Sequence, residues 1–189
     1  MHARQPLKFT IEPPDKDKHN RAAFACEQDP LNTYIRERAR RDVEKKVAAV
    51  YVATPDGKTI AGYYTLSQYA IDAGDFPEQM IRELRLPKYK TLPATLLGRL
   101  ARDGRFKGCG VGELLLMSAL SRSLDHSRSV ASCAVVVDAK DQRAIDFYME
   151  YGFISLPGPT NRLFLPMRTV DAMFDESQWE KPLVLRSCE

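Results

Sequence analysis

The clearest fold signal in the chain lies at residues 94–112, ATLLGRLARDGRFKGCGVG. The segment 94–103 begins with a continuous apolar run, which predicts a strand buried on both faces. The apolar segment 113–124 that follows the glycines predicts a buried helix. A glycine-rich turn between a strand and a helix lets the backbone approach a ligand and directs N–H groups and the helix dipole at an anion. The segment Lys107-Gly108-Cys109-Gly110-Val111-Gly112 is therefore a candidate pyrophosphate site.

The glycines alone leave a second interpretation open, because Gly-x-Gly turns also serve as plain tight connectors. The order of strand, glycines and acidic residue that marks a dinucleotide-binding unit is absent from this segment. It also lacks the Gly-Lys-Ser/Thr ending of a P-loop. The choice between an anion site and a connector therefore depends on the surrounding sequence.

The rest of the chain alternates between helix and strand patterns. Asp29 and Pro30 suit a helix start, and apolar residues at helical spacing continue that helix to about Lys46. Residues 1–22 predict an irregular or extended lead-in. The further expected elements are a hairpin (47–54 and 59–71), a short helix (77–84), a buried strand (129–139), a helix (140–152) and a closing pair of strands (153–156 and 162–170). This order describes one mixed α/β domain.

Length and composition limit the class of protein. A chain of 189 residues with 44% hydrophobic composition can bury one core, and it is too short for two ordinary domains. Its four cysteines form no CxxC pair, so neither a zinc site nor a dense disulfide framework is supported. No apolar run reaches the ~20 residues of a membrane span. A soluble, cytoplasmic protein without a metal is expected, and a net charge of +3 permits a nucleic-acid partner.

Two motifs in sequence carry a family resemblance. Asp141, Ala144, Tyr148 and Gly152-Phe153 match the pattern NxxAxxxYxxxGF, with aspartate in place of the first asparagine. KGCGVG fills the slot of a Q/R-x-x-G-x-G/A loop, with Lys107 at the first position. In the chain the glycine loop comes first, and a predicted helix and strand separate it from the Asp141 motif. Together, the two motifs resemble the core of the GNAT superfamily of N-acetyltransferases. The resemblance implies an α/β fold with a mixed, splayed central sheet, an acetyltransferase domain over 23–175, and a C-terminal tail over 176–189.

One branch of that superfamily is more similar still. The segment FACEQDPLNTYIRERA (24–39) resembles the opening FDCGxxxLNxYLxxxA of the acetyltransferase toxins of bacterial toxin–antitoxin pairs. The resemblance implies transfer of acetyl from acetyl-CoA to the α-amino group of an aminoacyl-tRNA. It also implies inhibition by a partner with a ribbon-helix-helix domain, and it allows a homodimer.

The same resemblance implies the roles of the cofactor residues. Lys107, Gly108, Cys109, Gly110, Val111 and Gly112 would hold the coenzyme A pyrophosphate. The pantetheine arm would pair with backbone groups near Leu100 and Arg102, and Asp141 and Ala144 complete the expected cofactor set.

Tyr148 is the candidate general acid. A phenol with a reference pKa of ~10 can protonate a thiolate whose parent thiol has a pKa near 8.5. The alternative is a core aromatic, because Ala144, Phe147, Tyr148 and Tyr151 form a stripe at helical spacing. No general base stands out. An α-amino group titrates at ~8, so part of it is already neutral at physiological pH and needs no base.

The basic residues suggest where an acceptor could bind. Arg36 and Arg40 lie four apart on the first helix, and Arg85, Lys88 and Lys90 flank the connector before the cofactor strand. These residues form either a phosphate-binding surface or an ordinary solvated face. His2, His19 and His126 are expected to be solvated surface residues.

Two other functions stay open at this stage. An acetyltransferase acting on a polyamine, an antibiotic or a protein amine would favour an acidic pocket over a basic rim. A catalytically silent interaction module would keep the fold, although the glycine loop and Tyr148 speak against it.

Overall fold

The structure is a computed structural model, and it describes residues 7–158 and 160–175. By internal contacts the described chain divides into two compact units. The first unit comprises residues 7–67 and 99–119, and the second comprises 68–98 with 120–158 and 160–175.

Helices and strands alternate along the described chain. The strands are β1 Thr10–Glu12, β2 Ala49–Thr54, β3 Gly62–Asp72, β4 Thr91–Arg102, β5 Ala134–Asp138, β6 Ile154–Ser155 and β7 Arg162–Pro166. The helices are α1 Asp29–Thr33, α2 Ala39–Glu44, α3 Glu78–Glu83, α4 Val111–Ser127, α5 Gln142–Glu150 and α6 Met167–Met173. A π-helical turn, Tyr34–Arg38, joins α1 to α2.

The strands form a seven-stranded sheet in the order β1-β2-β3-β4-β5-β7-β6. β4 and β5 are parallel, whereas β2 pairs antiparallel with β3 and β5 with β7. The parallel register joins Thr95 to Val135 and Leu96 to Val136, and β4 itself continues to Arg102. A mixed sheet with helices confirms the predicted α/β class.

In the first unit, helices pack on opposite faces of β3. The Tyr63 hydroxyl donates to the main-chain oxygen of Leu31 in α1 at 2.8 Å, and the hydroxyl of the next residue, Tyr64, lies 2.9 Å from the Ser118 hydroxyl in α4. Because successive strand residues point to opposite faces, α1 and α4 lie on different sides of the strand.

Gly62 permits the close approach of α4 to the sheet. A Cβ at this position would lie 2.7 Å from Leu115 Cδ1 and 2.8 Å from the main-chain oxygen of Ala101. Only a glycine fits here without displacing the helix or the neighbouring strand. The start of α4, and with it the glycine loop, is thereby fixed against β3.

In the second unit, the core lies on β4, β5 and β7. Phe76 and Phe164 pack edge to face with ring centroids 5.0 Å apart. At the end of the β5–β7 pair, the Arg162 guanidinium donates to both carboxylate oxygens of Asp138, at 2.7 and 3.1 Å. β5 and β7 pair at five positions, from Ala134 opposite Pro166 to Asp138 opposite Arg162.

The structure shortens three of the predicted elements. The strand predicted over 162–170 ends at Pro166, and the residues after it form α6. Proline cannot donate a ladder hydrogen bond, and it suits the start of a helix. The strand predicted over 129–139 begins only at Ala134, and the first helix ends at Glu44. The lead-in is extended in part, as predicted, because β1 pairs with β2.

The expectation that His19 is solvated is wrong. Its side chain is buried, with Nδ1 accepting from the Asp15 N–H at 2.8 Å and Nε2 lying 2.9 Å from Glu12 Oε1. The imidazole thus joins the turn at residues 15–19 to the end of β1. His126 is exposed as expected, and His2 lies outside the described residues. Within the described ranges, no helix has the length and apolar character to cross a bilayer.

Candidate active site

The glycine loop follows β4 through a short 3-10 turn, Gly104–Phe106, and ends where α4 begins. Gly108 has φ 81° and Gly110 has φ 72°, both in the left-handed region. The main-chain oxygen of Gly110 accepts the N–H of Leu114 at 3.0 Å, which starts the hydrogen-bonded helix. The loop therefore lies at the N-terminus of a 17-residue helix, where the backbone favours an anion.

Space beside the loop is open. A Cβ at Gly108 would meet no heavy atom within 4 Å, so this glycine is needed for its backbone conformation and not for packing. Lys107 is exposed, whereas Cys109 and Val111 are buried. An open surface, an exposed cation and a helix N-terminus together suit a phosphate group.

The predicted cofactor residues fall into the two units. The first unit holds Leu100 and Arg102 on β4 together with the whole loop from Lys107 to Gly112. The second holds Asp141, Ala144 and Tyr148.

Asp103, which the sequence analysis did not select, anchors the entry to the glycine loop. Its buried carboxylate accepts from the Arg105 main-chain N–H, Nε and Nη2 at 2.8 to 2.9 Å, and from the Ala25 N–H at 2.9 Å. Burial alone would raise the pKa of Asp103, but these donors outweigh it and hold the pKa below its usual range. The sequence signal for this role is a single aspartate directly after the buried strand β4.

The segment before α1 is fixed by side chains of the first helix. Asn32 Oδ1 accepts the Cys26 N–H at 2.8 Å, and Asn32 Nδ2 donates to the Cys26 main-chain oxygen at 2.9 Å. Arg36 donates to the main-chain oxygen of Phe24, whose ring is buried in the core. Three residues of the sequence motif, Phe24, Cys26 and Asn32, therefore shape one loop.

Two predicted nucleic-acid residues, Arg36 and Arg40, lie on this exposed helix surface. Arg40 forms an ion pair with Glu44 at 3.0 Å, with both side chains more than half exposed. Beside them lie two open depressions of about 340 and 360 Å³, both lined by Arg21 and Arg36. Lys16 also lines the first depression, and Arg41 of α2 lines the second. The lead-in therefore adds two cations that the sequence did not indicate, Lys16 and Arg21.

In the second unit, Asp141 caps α5. Its Oδ1 accepts the N–H of Ala144 at 2.8 Å, the usual bond of an N-cap residue. Asparagine and aspartate are nearly equivalent in this role, which accounts for the aspartate in the motif. Ala144 is half-buried one turn before Tyr148.

Tyr148 is buried, and burial raises the pKa of its hydroxyl above the ordinary value. Its ring centroid lies 5.3 Å from those of Phe147 and Phe153. The residue is thus packed among aromatic side chains, and its phenol stays protonated at physiological pH. A protonated phenol can donate a proton, so the structure is compatible with both predicted roles of Tyr148, general acid and core aromatic.

The remaining predicted basic residues, Arg85, Lys88 and Lys90, are all exposed in the second unit, and Tyr89 between the lysines is 68% exposed. Across residues 7–158 and 160–175, no group of three or more His, Cys, Asp or Glu side chains could hold a metal ion.

Two curated proteins are similar to the chain over most of its length. The probable toxin TacT of Sinorhizobium fredii is 32% identical over 174 residues, which cover 88% of this chain and 95% of that protein. The tRNA-acetylating toxin of Mycobacterium tuberculosis is 28% identical over 160 residues, covering 85% of this chain and 93% of that toxin. No protein-family model matches the chain.

Solved structures agree with these relatives. A Tyr-to-Phe mutant of KacT has a TM-score of 0.80 at 28% identity, covering 88% of this chain and 99% of KacT. AtaT complexed with acetyl-methionyl-tRNAfMet has a TM-score of 0.79 at 29% identity, covering 89% of this chain and 100% of AtaT. A mutant AtaT bound to acetyl-CoA and the C-terminus of the antitoxin AtaR has a TM-score of 0.74 at 27% identity, covering 88% and 98%.

The mixed sheet, the strand-to-helix glycine loop and these likenesses define an acetyltransferase of the GNAT fold. Within that class, the chain belongs to the TacT family of acetyltransferase toxins.

Proposed function

We propose that the protein transfers the acetyl group of acetyl-CoA to the α-amino group of an aminoacyl-tRNA and so acts as a toxin that blocks translation. The observation that carries this proposal is the likeness to AtaT over 89% of the chain, because that structure holds an acetylated aminoacyl-tRNA. The relative from Mycobacterium tuberculosis, named a tRNA-acetylating toxin, supports the same acceptor.

The glycine loop is proposed to hold the coenzyme A pyrophosphate. The left-handed Gly108 and Gly110 direct the loop backbone, and the N-terminus of α4 supplies a favourable dipole for the negative charge. Lys107 adds a cation, and the open space at Gly108 leaves room for the ligand. Main-chain groups near Leu100 and Arg102 are proposed to pair with the pantetheine arm.

Asp141 and Ala144 are proposed to serve the cofactor through α5. The hydrogen bond between them fixes the first turn of the helix that carries Tyr148. Their contribution is thus to the position of this helix, with the Asp141 carboxylate occupied by the Ala144 N–H.

Tyr148 is proposed as the general acid. In the reaction the amine nitrogen attacks the thioester carbonyl carbon, the C–N bond forms, the C–S bond breaks and the amine loses a proton. The departing thiolate takes a proton, which a buried, protonated phenol can supply. No general base is needed for the fraction of α-amino groups that is already neutral.

The acceptor is proposed to bind through phosphates. Arg36 and Arg40 form one exposed basic surface, and Arg85, Lys88 and Lys90 form another. A ribbon-helix-helix antitoxin is proposed as the inhibitory partner, in line with AtaT bound to the C-terminus of AtaR. A homodimer is a further proposal, which measurement of the mass in solution tests.

The direct test supplies charged tRNA and labelled acetyl-CoA to the purified protein. We expect label on the α-amino group of the attached amino acid, and none on uncharged tRNA. Label appearing only on polyamines or protein amines would contradict the proposed acceptor, and it would leave the acetyltransferase assignment intact.

A further inference from the structure

Arg99 lies outside the glycine loop, the Asp141 motif and both proposed basic surfaces. It lies on β4, and its guanidinium carbon is 3.7 Å from the centroid of the Tyr34 ring. Arg99 is half-buried and Tyr34 is buried. Tyr34 in turn stacks against Tyr63 with centroids 6.1 Å apart, so the ring beneath the guanidinium is held in place.

The Arg99 guanidinium makes no ion pair and no side-chain hydrogen bond with residues 7–158 and 160–175. Three other arginines of the first unit have partners: Arg36 donates to the Phe24 main-chain oxygen, Arg40 pairs with Glu44 and Arg105 pairs with Asp103. A half-buried charge without an anion is costly to desolvate. A guanidinium stacked by its face keeps its N–H donors at the edge, in the geometry that suits a phosphate.

The helix beneath Arg99 is irregular at the same place. Tyr34 begins the π-helical turn, and the Ala39 N–H donates to the Tyr34 main-chain oxygen, five residues back. Such turns occur frequently at functional sites. The buried Tyr34 hydroxyl makes no hydrogen bond of good geometry with the described residues. Burial, and next the Asp42 carboxylate, raises the pKa of Tyr34 to about 12, so the ring stays neutral.

The face of the sheet separates Arg99 from the cofactor phosphates. Arg99 contacts Tyr34, and Ala101 on the same side of β4 belongs to the core under the first helix. The glycine loop leads into α4, which packs on the opposite face through Ser118 and Tyr64. An anion at Arg99 would therefore come from the acceptor and not from the pyrophosphate in the loop.

We infer that Arg99, held flat on Tyr34, binds a backbone phosphate at the acceptor end of aminoacyl-tRNA. This inference rests on the proposed function and adds a binding residue to it. The contact would orient the terminal nucleotide, and with it the α-amino group, relative to the strand that carries Leu100 and Arg102.

The test compares two acceptors that differ in phosphate. One is aminoacyl-tRNA and the other is 3′-aminoacyl-adenosine, which carries the same α-amino group and no phosphate. For Arg99→Gln we expect KM for aminoacyl-tRNA to rise about ten- to a hundredfold, the loss expected for a hydrogen bond to a charged group. Turnover of the adenosine ester and KM for acetyl-CoA should stay within about twofold of wild type.

Two further measurements separate a phosphate contact from a structural role. The slope of log affinity for tRNA against log salt should become shallower by about 0.7 to 0.9 for one lost phosphate contact. Arg99→Lys, which keeps the charge and loses the planar fork, should fall between wild type and Arg99→Gln. Arg128→Gln, an exposed and ion-paired arginine of the second unit, is the matched control and should leave the slope unchanged.

A chemical deletion on the RNA keeps the test valid if an Arg99 variant does not fold. With wild-type protein, one methylphosphonate among the last linkages of the acceptor strand should weaken binding about ten- to a hundredfold, the loss expected for one hydrogen bond to a charged group. Equal loss with both acceptors, a raised KM for acetyl-CoA, or no effect at any methylphosphonate position would overturn the inference. Failure of wild type to acetylate either acceptor would instead contradict the proposed function.

Discussion

The Asp103 carboxylate accepts the main-chain N–H of Ala25 at 2.9 Å, and the Gly104 N–H donates to the Ala25 oxygen at 2.8 Å. Through this pair of bonds, the end of β4 holds the segment that precedes the first helix. The same carboxylate holds Arg105 in the turn before the glycine loop. One buried side chain thus supports both the segment before the proposed acceptor surface and the turn before the proposed cofactor loop.

The first prediction concerns the stability that Asp103 provides. Asp103→Asn keeps the shape and removes the charge, so we expect a loss of about 1 to 3 kcal/mol in the free energy of unfolding at pH 7. Because the folded-state pKa is lowered, this stability is present above the unfolded pKa of ~3.9 and is lost as pH falls through the folded value. Urea unfolding of both proteins at pH 7 and pH 3 should show the difference shrink. A difference that is equal at both pH values would contradict the assignment.

Sequence predicted the glycine loop and the helix after it because both signals are local. Glycine at Gly108 and Gly110 marks left-handed backbone, and the apolar segment marks a buried helix. It also predicted a helix over 140–152 from the spacing of its apolar residues and the glycine that ends it, and the structure has α5 there. The strand predicted over 162–170 is wrong beyond Pro166. The proline cannot donate a ladder hydrogen bond and suits the start of a helix, so the residues after it form α6.

Contacts between distant segments could not be predicted in the same way. The buried His19 is hydrogen-bonded to Glu12 and Asp15. The Asp103 carboxylate is hydrogen-bonded to Ala25, which lies 78 residues away in the chain. Stacking of Arg99 on Tyr34 depends on the packing of the first helix against β4. No sequence pattern in either segment predicts such a pair, because a single His, Asp or Arg is typical of the protein surface.

The second prediction concerns the cofactor loop. Acetyl-CoA should raise Tm of the wild-type protein by mass action on the folded state. In Gly110→Val, a side chain at φ 72° both strains the backbone and blocks the approach of the pyrophosphate, so the shift should disappear.

Gly57→Ala is the matched control for strain, because Gly57 has φ 74° in a turn between β2 and β3 and has no role in the loop. It should lower Tm without ligand and keep the shift with acetyl-CoA. A full shift in a folded Gly110→Val protein would refute the pyrophosphate assignment.

The third prediction concerns the Tyr148 hydroxyl. Tyr148→Phe keeps the ring that packs against Phe147 and Phe153, so folding and acetyl-CoA affinity should persist. Turnover should fall by about 10²- to 10⁴-fold, the range for a lost general acid. Single-turnover rates with charged tRNA measure this directly, and Tyr151→Phe at the C-cap of the same helix serves as control. Turnover equal to wild type would leave Tyr148 as a core aromatic only.

The fourth prediction concerns the basic surface of the first helix. Replacing Arg36 and Arg40 together by glutamate should weaken tRNA binding and flatten its salt dependence, because each lost phosphate contact removes about 0.7 to 0.9 from the log–log slope. The exposed Arg40–Glu44 pair contributes little to folding, whereas Arg36 also holds the Phe24 oxygen. Arg40→Glu alone therefore separates binding from stability, and it should reduce the slope while leaving Tm and the acetyl-CoA shift near wild type. A weaker tRNA complex with an unchanged slope would show that the helix acts through packing and not through phosphate contacts.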